Sequence, residues 1–195
     1  MIISAVPLKV EQIQLHTRLV VRELVVLLIE TGLRIDREAL GLTWADLDLA
    51  NGTVTVHQTK TLAGRRTIPL SKLCLQELLK WERLTGAEYS RFVFPASDRS
   101  KHLKGVRRPW TSALKQAKVA FFPIYNLRAT FASRLSAAGV PDVFVSQMMG
   151  HAGSLLGTYS KAIMDYRVDA IHKLEEFRQS HEAKSPEVPR PEVLQ

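Results

Sequence analysis

Two short β-branched runs interrupt a chain that otherwise keeps helical spacing, and they decide the class of fold. Thr53-Val54-Thr55-Val56 and Arg66-Thr67-Ile68-Pro69-Leu70 flank the loop Lys60-Thr61-Leu62-Ala63-Gly64. β-Branched side chains favour extended backbone, and a short connection containing glycine joins antiparallel strands, so the two runs predict one β-hairpin. The remainder reads as helix. Residues 11–33 set Leu15, Leu19, Leu24, Leu27 and Leu28 near the helical period, with Gly32 after the run. A second helical stretch, Ile35 to Leu42, leads into Trp44. Past the hairpin, residues 71–85, 109–118, 126–138, 141–149 and 163–181 read as helices separated by glycine and proline. The expected fold is mainly α with a small antiparallel β-sheet, an α+β domain over residues 1–182. In the tail, 183–195, the run Ser185-Pro186-Glu187-Val188-Pro189-Arg190-Pro191-Glu192 holds too much proline and charge to pack, and disorder is expected.

The 195 residues suffice for one substantial core, and 46% hydrophobic content is that of a soluble globular protein. The longest apolar run, Leu24 to Ile29, is too short to span a bilayer, and the N-terminus lacks a signal-peptide layout. With Cys74 as the single cysteine, neither a disulfide framework nor a cysteine-rich zinc site can be built. The six histidines are scattered without paired ligand spacing, so no metal and no cofactor are expected. A cytoplasmic location is the default expectation. The net charge of +8 suits a polyanionic partner, though a basic soluble surface accounts for it equally well.

Four segments carry the chemistry. They are Thr31-Gly32-Leu33-Arg34 with Glu38-Ala39-Leu40-Gly41-Leu42 and Trp44; Thr59-Lys60-Thr61 closed by Arg66 to Leu70; Tyr125-Asn126-Leu127-Arg128-Ala129-Thr130-Phe131-Ala132-Ser133; and Met149-Gly150-His151 with Thr158-Tyr159. Singly they are weak: a surface arginine, a solvated lysine, a capping histidine, a half-buried tyrosine. In this order and with these flanks they resemble the tyrosine recombinase (phage integrase) family, over roughly residues 8–180. TGLR with EALGL-x-W resembles the family's first arginine box, and TKT with RRTIPL its catalytic-lysine hairpin. NLR-x-TFASRL resembles the second arginine box, and MGH with TY the closing histidine–tyrosine box. By that resemblance Arg34 and Arg128 form the arginine pair, Lys60 is the catalytic lysine, His151 the last histidine and Tyr159 the nucleophile.

The resemblance implies a tyrosine recombinase catalytic-domain fold and site-specific recombination through a 3′-phosphotyrosine intermediate. It also implies double-stranded DNA as partner, self-association on DNA into a synaptic tetramer, and neither a membrane nor a small-molecule substrate. The residue types suit that chemistry. Two arginines can fork onto the non-bridging oxygens of a phosphodiester where charge gathers, and they stay protonated at any working pH. A phenol forms an ester that conserves phosphoryl bond energy for resealing, but needs help losing its proton. A lysine on a hairpin can protonate the departing 5′ oxygen.

Three departures stand out from the family pattern. Tyr125 occupies the place of a histidine three residues before Arg128, and a phenol is a poor base near neutrality. The acidic residue after Arg34 comes one position late, at Glu38, which still shares a helix face with Arg34 and can orient it. The interval from His151 to Tyr159 is one residue short, which leaves Tyr166 as the alternative nucleophile. Tyr166 falls on the apolar face Ile163, Tyr166, Ala170, Leu174 and Phe177 of the last helix, a face that needs cover in cis or in trans.

The basic segment 99–118 offers Lys101, Lys104, Arg107, Arg108 and Lys115 as DNA-phosphate contacts. The catalytic pattern begins almost at the first residue, so the N-terminal core-binding domain of full-length relatives is expected to be absent. Two rival readings remain: a type IB topoisomerase-like enzyme, and a recombinase-derived DNA-binding protein without catalysis.

Overall fold

Val20, Val21, Leu24, Leu27 and Leu28 line one side of the first helix, α1 (Val10–Thr31), and form the floor of the core. The computed structural model describes residues 10–57, 65–86, 88–150 and 160–182. After α1 the chain turns at Gly32, whose φ of +64° is left-handed and costs an L side chain energy. A Cβ there would also strike the ring of Phe131, which is fully buried on α4 (Asn126–Ala137). The glycine of the first arginine segment is therefore packed against the phenylalanine of the second.

The sequence predicts an ordinary helix from Ile35 to Leu42. Instead Ile35–Ala39 is a single π-helical turn, followed by a 3-10 turn at Trp44–Asp46. The wider turn has a visible cause. The Glu38 carboxylate accepts the Arg34 backbone N–H at 2.8 Å, and the Ala39 N–H reaches back to the Arg34 carbonyl at 3.0 Å.

The predicted hairpin is present, preceded by a strand too short to leave an alternation in the sequence. β1 (Leu47–Asp48), β2 (Thr53–Val56) and β3 (Arg66–Pro69) form one antiparallel sheet in that order. Val54 stands opposite Ile68, and Val56 opposite Arg66. Strand side chains alternate between faces, so the register that buries Val54, Val56 and Ile68 turns Arg66 into the core as well.

The later helices are α2 (Lys72–Thr85), α3 (Arg107–Gln116), α4, α5 (Asp142–Met148) and α6 (Ser160–Glu182). Each lies close to its expected stretch. The Ser71 hydroxyl caps α2 by accepting the Cys74 N–H. On α4 the buried positions are Leu127, Arg128, Phe131 and Leu135, so an arginine shares the apolar stripe.

The face expected for the last helix needs correction. α6 buries Ala170, Ile171, Leu174 and Glu175 and packs in cis on α4, α5 and β3. Tyr166 is 50% exposed, its ring stacked on Phe144 at 4.2 Å, and the Ile163 side chain lies outside the described residues. Polar anchors set this rotation. Glu175 accepts the Lys72 N–H at 2.5 Å, Arg178 pairs with Glu30 at 3.1 Å, and Arg167 donates to the Thr67 carbonyl at 2.7 Å. Among the described residues no helix is long and apolar enough to cross a membrane.

Gly32→Ala combines a left-handed backbone with a clash against a ring that has no room to move. It should lower unfolding free energy by about 2–5 kcal/mol in urea titration. A loss below about 1 kcal/mol would mean that the α1–α4 contact is looser than described.

Candidate active site

Arg34 follows the turn at Gly32, and its side chain is 31% exposed. Its Nη1 donates to Glu38 Oε1 at 2.7 Å, while its backbone N–H takes the other carboxylate oxygen. Arg66 reaches the same carboxylate from β3, with Nη1 to Oε1 at 3.2 Å and Nη2 to Oε2 at 2.9 Å. The Arg66 and Glu38 side chains are 1% and 2% exposed, so this is a buried, two-pronged ion pair. Each Glu38 oxygen is shared between the two arginine residues.

The three arginines converge on the C-terminal end of α5. Arg66 Nε donates to the Met148 carbonyl at 2.6 Å, Arg128 Nη2 to the Met149 carbonyl, and Arg34 Nη2 to the Gly150 carbonyl at 3.3 Å. Consecutive carbonyls that the helix end leaves without intrahelical donors thus each receive a guanidinium. Arg128 Nη1 also donates to the Gly32 carbonyl, just past the end of α1. Gly150, with φ +64°, closes the arrangement: a Cβ on it would lie 2.7 Å from Arg66 Nη1.

Charge follows the geometry. Burial pushes the Glu38 carboxyl up, but hydrogen bonds from Arg66 and Arg34 and the charge of Arg66 outweigh it and hold the group below the ordinary glutamate range. Burial, then the charge of Arg34, lowers Arg128 to about 10, so it stays protonated near neutrality. Among the described residues one carboxylate thus stands among three guanidinium groups, and the cluster carries an excess of positive charge.

The structure therefore brings Arg34, Glu38 and Arg128 together. Tyr125 sits at the entrance of α4, 59% exposed, three residues before Arg128. Lys60, His151 and Tyr159 lie outside the described residues. Lys101, Lys104, Arg107, Arg108 and Lys115 are all exposed, the last three on α3, whose Trp110 and Leu114 are buried. The sequence reading left Arg66 as a hairpin residue and missed Arg167. The signal for Arg66 was its place two positions before the core residue Ile68.

Glu38→Gln removes the charged half of the buried Arg66–Glu38 pair and should cost about 3 kcal/mol near neutral pH. Because the folded pKa of Glu38 is depressed, its contribution is complete above the ordinary glutamate value of 4.5 and fades as pH falls through the lower folded value. Urea unfolding between pH 2 and 7 should show a shallower acid limb in the variant. Parallel curves for the two proteins would contradict this.

Comparison with known proteins agrees with the architecture. The profile of the Phage integrase family matches residues 6–159. The prophage integrase IntR of Escherichia coli (strain K12) is 31% identical over 155 residues, covering 62% of this chain and 38% of the relative. An integrase of Streptomyces ambofaciens is 32% identical over 109 residues, covering 49% of this chain and 28% of the relative. The chain thus spans well under half the length of these curated relatives. Among solved structures, the integrase of mycobacterium phage Brujita has a TM-score of 0.62 at 23% identity, over 89% of this chain and 60% of that one. XerA recombinase has a TM-score of 0.59 at 19% identity, over 96% of this chain and 67% of that one. The matched profile covers most of the sequence and the packing agrees: the chain belongs to the phage integrase family, with the fold of a tyrosine recombinase catalytic domain.

Proposed function

We propose that the chain catalyses site-specific DNA recombination, cleaving and rejoining strands through a 3′-phosphotyrosine intermediate. The observation that carries this reading is the arginine pair. Arg34 and Arg128 come from distant segments, hold adjacent carbonyls at one helix end and repel each other electrostatically. A phosphodiester would relieve that repulsion, most of all as its non-bridging oxygens gain charge in the transition state.

In this reading Tyr159, having given its phenolic proton to solvent, attacks phosphorus through its oxygen, the phosphorus–O5′ bond breaks, and Lys60 protonates the departing 5′ oxygen. Attack of a 5′-hydroxyl on the phosphotyrosine then reseals the strand and frees the tyrosine. His151 hydrogen-bonds the phosphate or the tyrosine, and no step calls for a metal or a nucleotide. Glu38 orients Arg34. Lys101, Lys104, Arg107, Arg108 and Lys115 would position the duplex through its phosphates. Double-stranded DNA is the proposed partner, with assembly into a synaptic tetramer upon it. Support for the partner comes from a structural relative, the Tn1549 transposon integrase, solved in complex with transposon right end DNA. The exposed phenol of Tyr125, standing where a histidine is expected, favours one rival: a DNA-binding protein derived from a recombinase but unable to cleave.

Trapping on a nicked suicide duplex separates the two. Tyr159→Phe removes only the attacking oxygen, so DNA affinity should persist while covalent adduct, formed in EDTA by the unaltered chain, disappears. Adduct at normal yield from that variant would move the nucleophile, with Tyr166 the next candidate.

Lys60→Ala should slow cleavage by about 10²–10⁴-fold. A substrate with sulfur in the bridging 5′ position leaves without that proton and should restore most of the rate. Without rescue, Lys60 would be a phosphate contact and not the acid.

A further inference from the structure

We infer that Arg66 is a positioning residue of the cleavage site, a single guanidinium that fixes Arg34 through Glu38 and the approach to His151 through the Met148 carbonyl. The inference rests on the recombinase reading and goes beyond it, because it gives Arg66 a role exerted through Glu38 and the Met148 carbonyl.

Arg34 can hold one orientation only while the Glu38 carboxylate holds its own, and both carboxylate oxygens are fixed by the Arg66 fork. The third arm of that guanidinium, Nε, holds Met148 at the end of α5, where the chain leaves for His151. Gly150 is pressed against the same group, with no room for a Cβ beside Arg66 Nη1. The next residue extends the bracket. The Thr67 carbonyl takes Arg167 from α6, the helix that begins directly after Tyr159. Adjacent residues of β3 therefore tie together the strand that follows Lys60, the turn bearing Arg34, the chain entering His151 and the helix leaving Tyr159. A lysine in place of Arg66 could keep the charge beside Glu38 but not the planar fork with its third donor. Arginine is thus required for its shape.

The test is single-turnover cleavage of a nicked suicide duplex by the whole chain, with rates expressed per folded molecule from thermal melts. At saturating DNA, Arg66→Lys should cleave at least about tenfold more slowly, since sub-ångström misplacement of a catalytic group carries such penalties. The DNA concentration for half-maximal rate should change by less than about threefold, which separates lost positioning from lost binding. Arg66→Met and Glu38→Gln should each slow cleavage, and the double variant should be no slower than the slower single, because both act through one carboxylate. A wild-type rate at saturation in Arg66→Lys, or additive losses in the double variant, would overturn the inference. If Arg66→Met does not fold, Arg66→Lys decides alone. An unaltered chain that forms no adduct would overturn the recombinase reading itself, and this inference with it.

Discussion

Taking a guanidinium and a carboxylate out of water costs several kcal/mol for each ion, and only close geometry with further hydrogen bonds recovers it. The Arg66–Glu38 pair meets that requirement with two paired contacts, a carbonyl on the remaining arginine nitrogen and the Arg34 backbone N–H on the carboxylate. The rest of the site depends on this pair. Arg66 can reach Glu38 only in the register that sets Val56 opposite it, because a slip of one residue would turn it outward. The π-helical turn brings Glu38 inward to meet it, and α5 must end where its Met148 carbonyl can complete the set.

Helix ends supply the other half of the logic. Guanidinium groups gathered in this way repel one another, and burial followed by the charge of Arg34 lowers the pKa of Arg128. The carbonyls at the ends of α1 and α5 carry partial negative charge and offset part of it. They do so with neutral groups, which keeps the excess positive charge available to an anion. A second carboxylate would hold the arginines as firmly but would compete with a phosphate for them.

Much of this was legible in the sequence because local patterns encode it. The helical periods gave the core helices, the β-branched runs gave β2 and β3, and the flanks of Arg34 and Arg128 marked both as site residues before any geometry. Glu38 was legible because four residues on a helical turn share a face with Arg34. Other features depend on long-range pairing. A charged residue opening a strand reads as solvated until a partner far along the chain makes its burial possible, and so Arg66 passed as a hairpin residue. The rotation of α6 failed for a related reason. Its apolar stripe pointed to Tyr166, yet anchors at Arg167, Glu175 and Arg178 turned Ile171 inward instead. The two-residue strand β1 is too brief to alternate, and the π-helical turn accompanies a Glu38 side chain that bonds the Arg34 backbone N–H, which no periodicity reveals.

In the proposed reaction this arginine frame holds a phosphodiester for attack by Tyr159. The most direct measurement is mass spectrometric mapping of the DNA-linked peptide after the unaltered chain has reacted with a nicked suicide duplex. One modified peptide is expected, with a 3′-phosphoryl nucleotide on Tyr159. Nucleotide on Tyr166 or another residue, or no covalent product at concentrations where the chain is saturated with DNA, would contradict it.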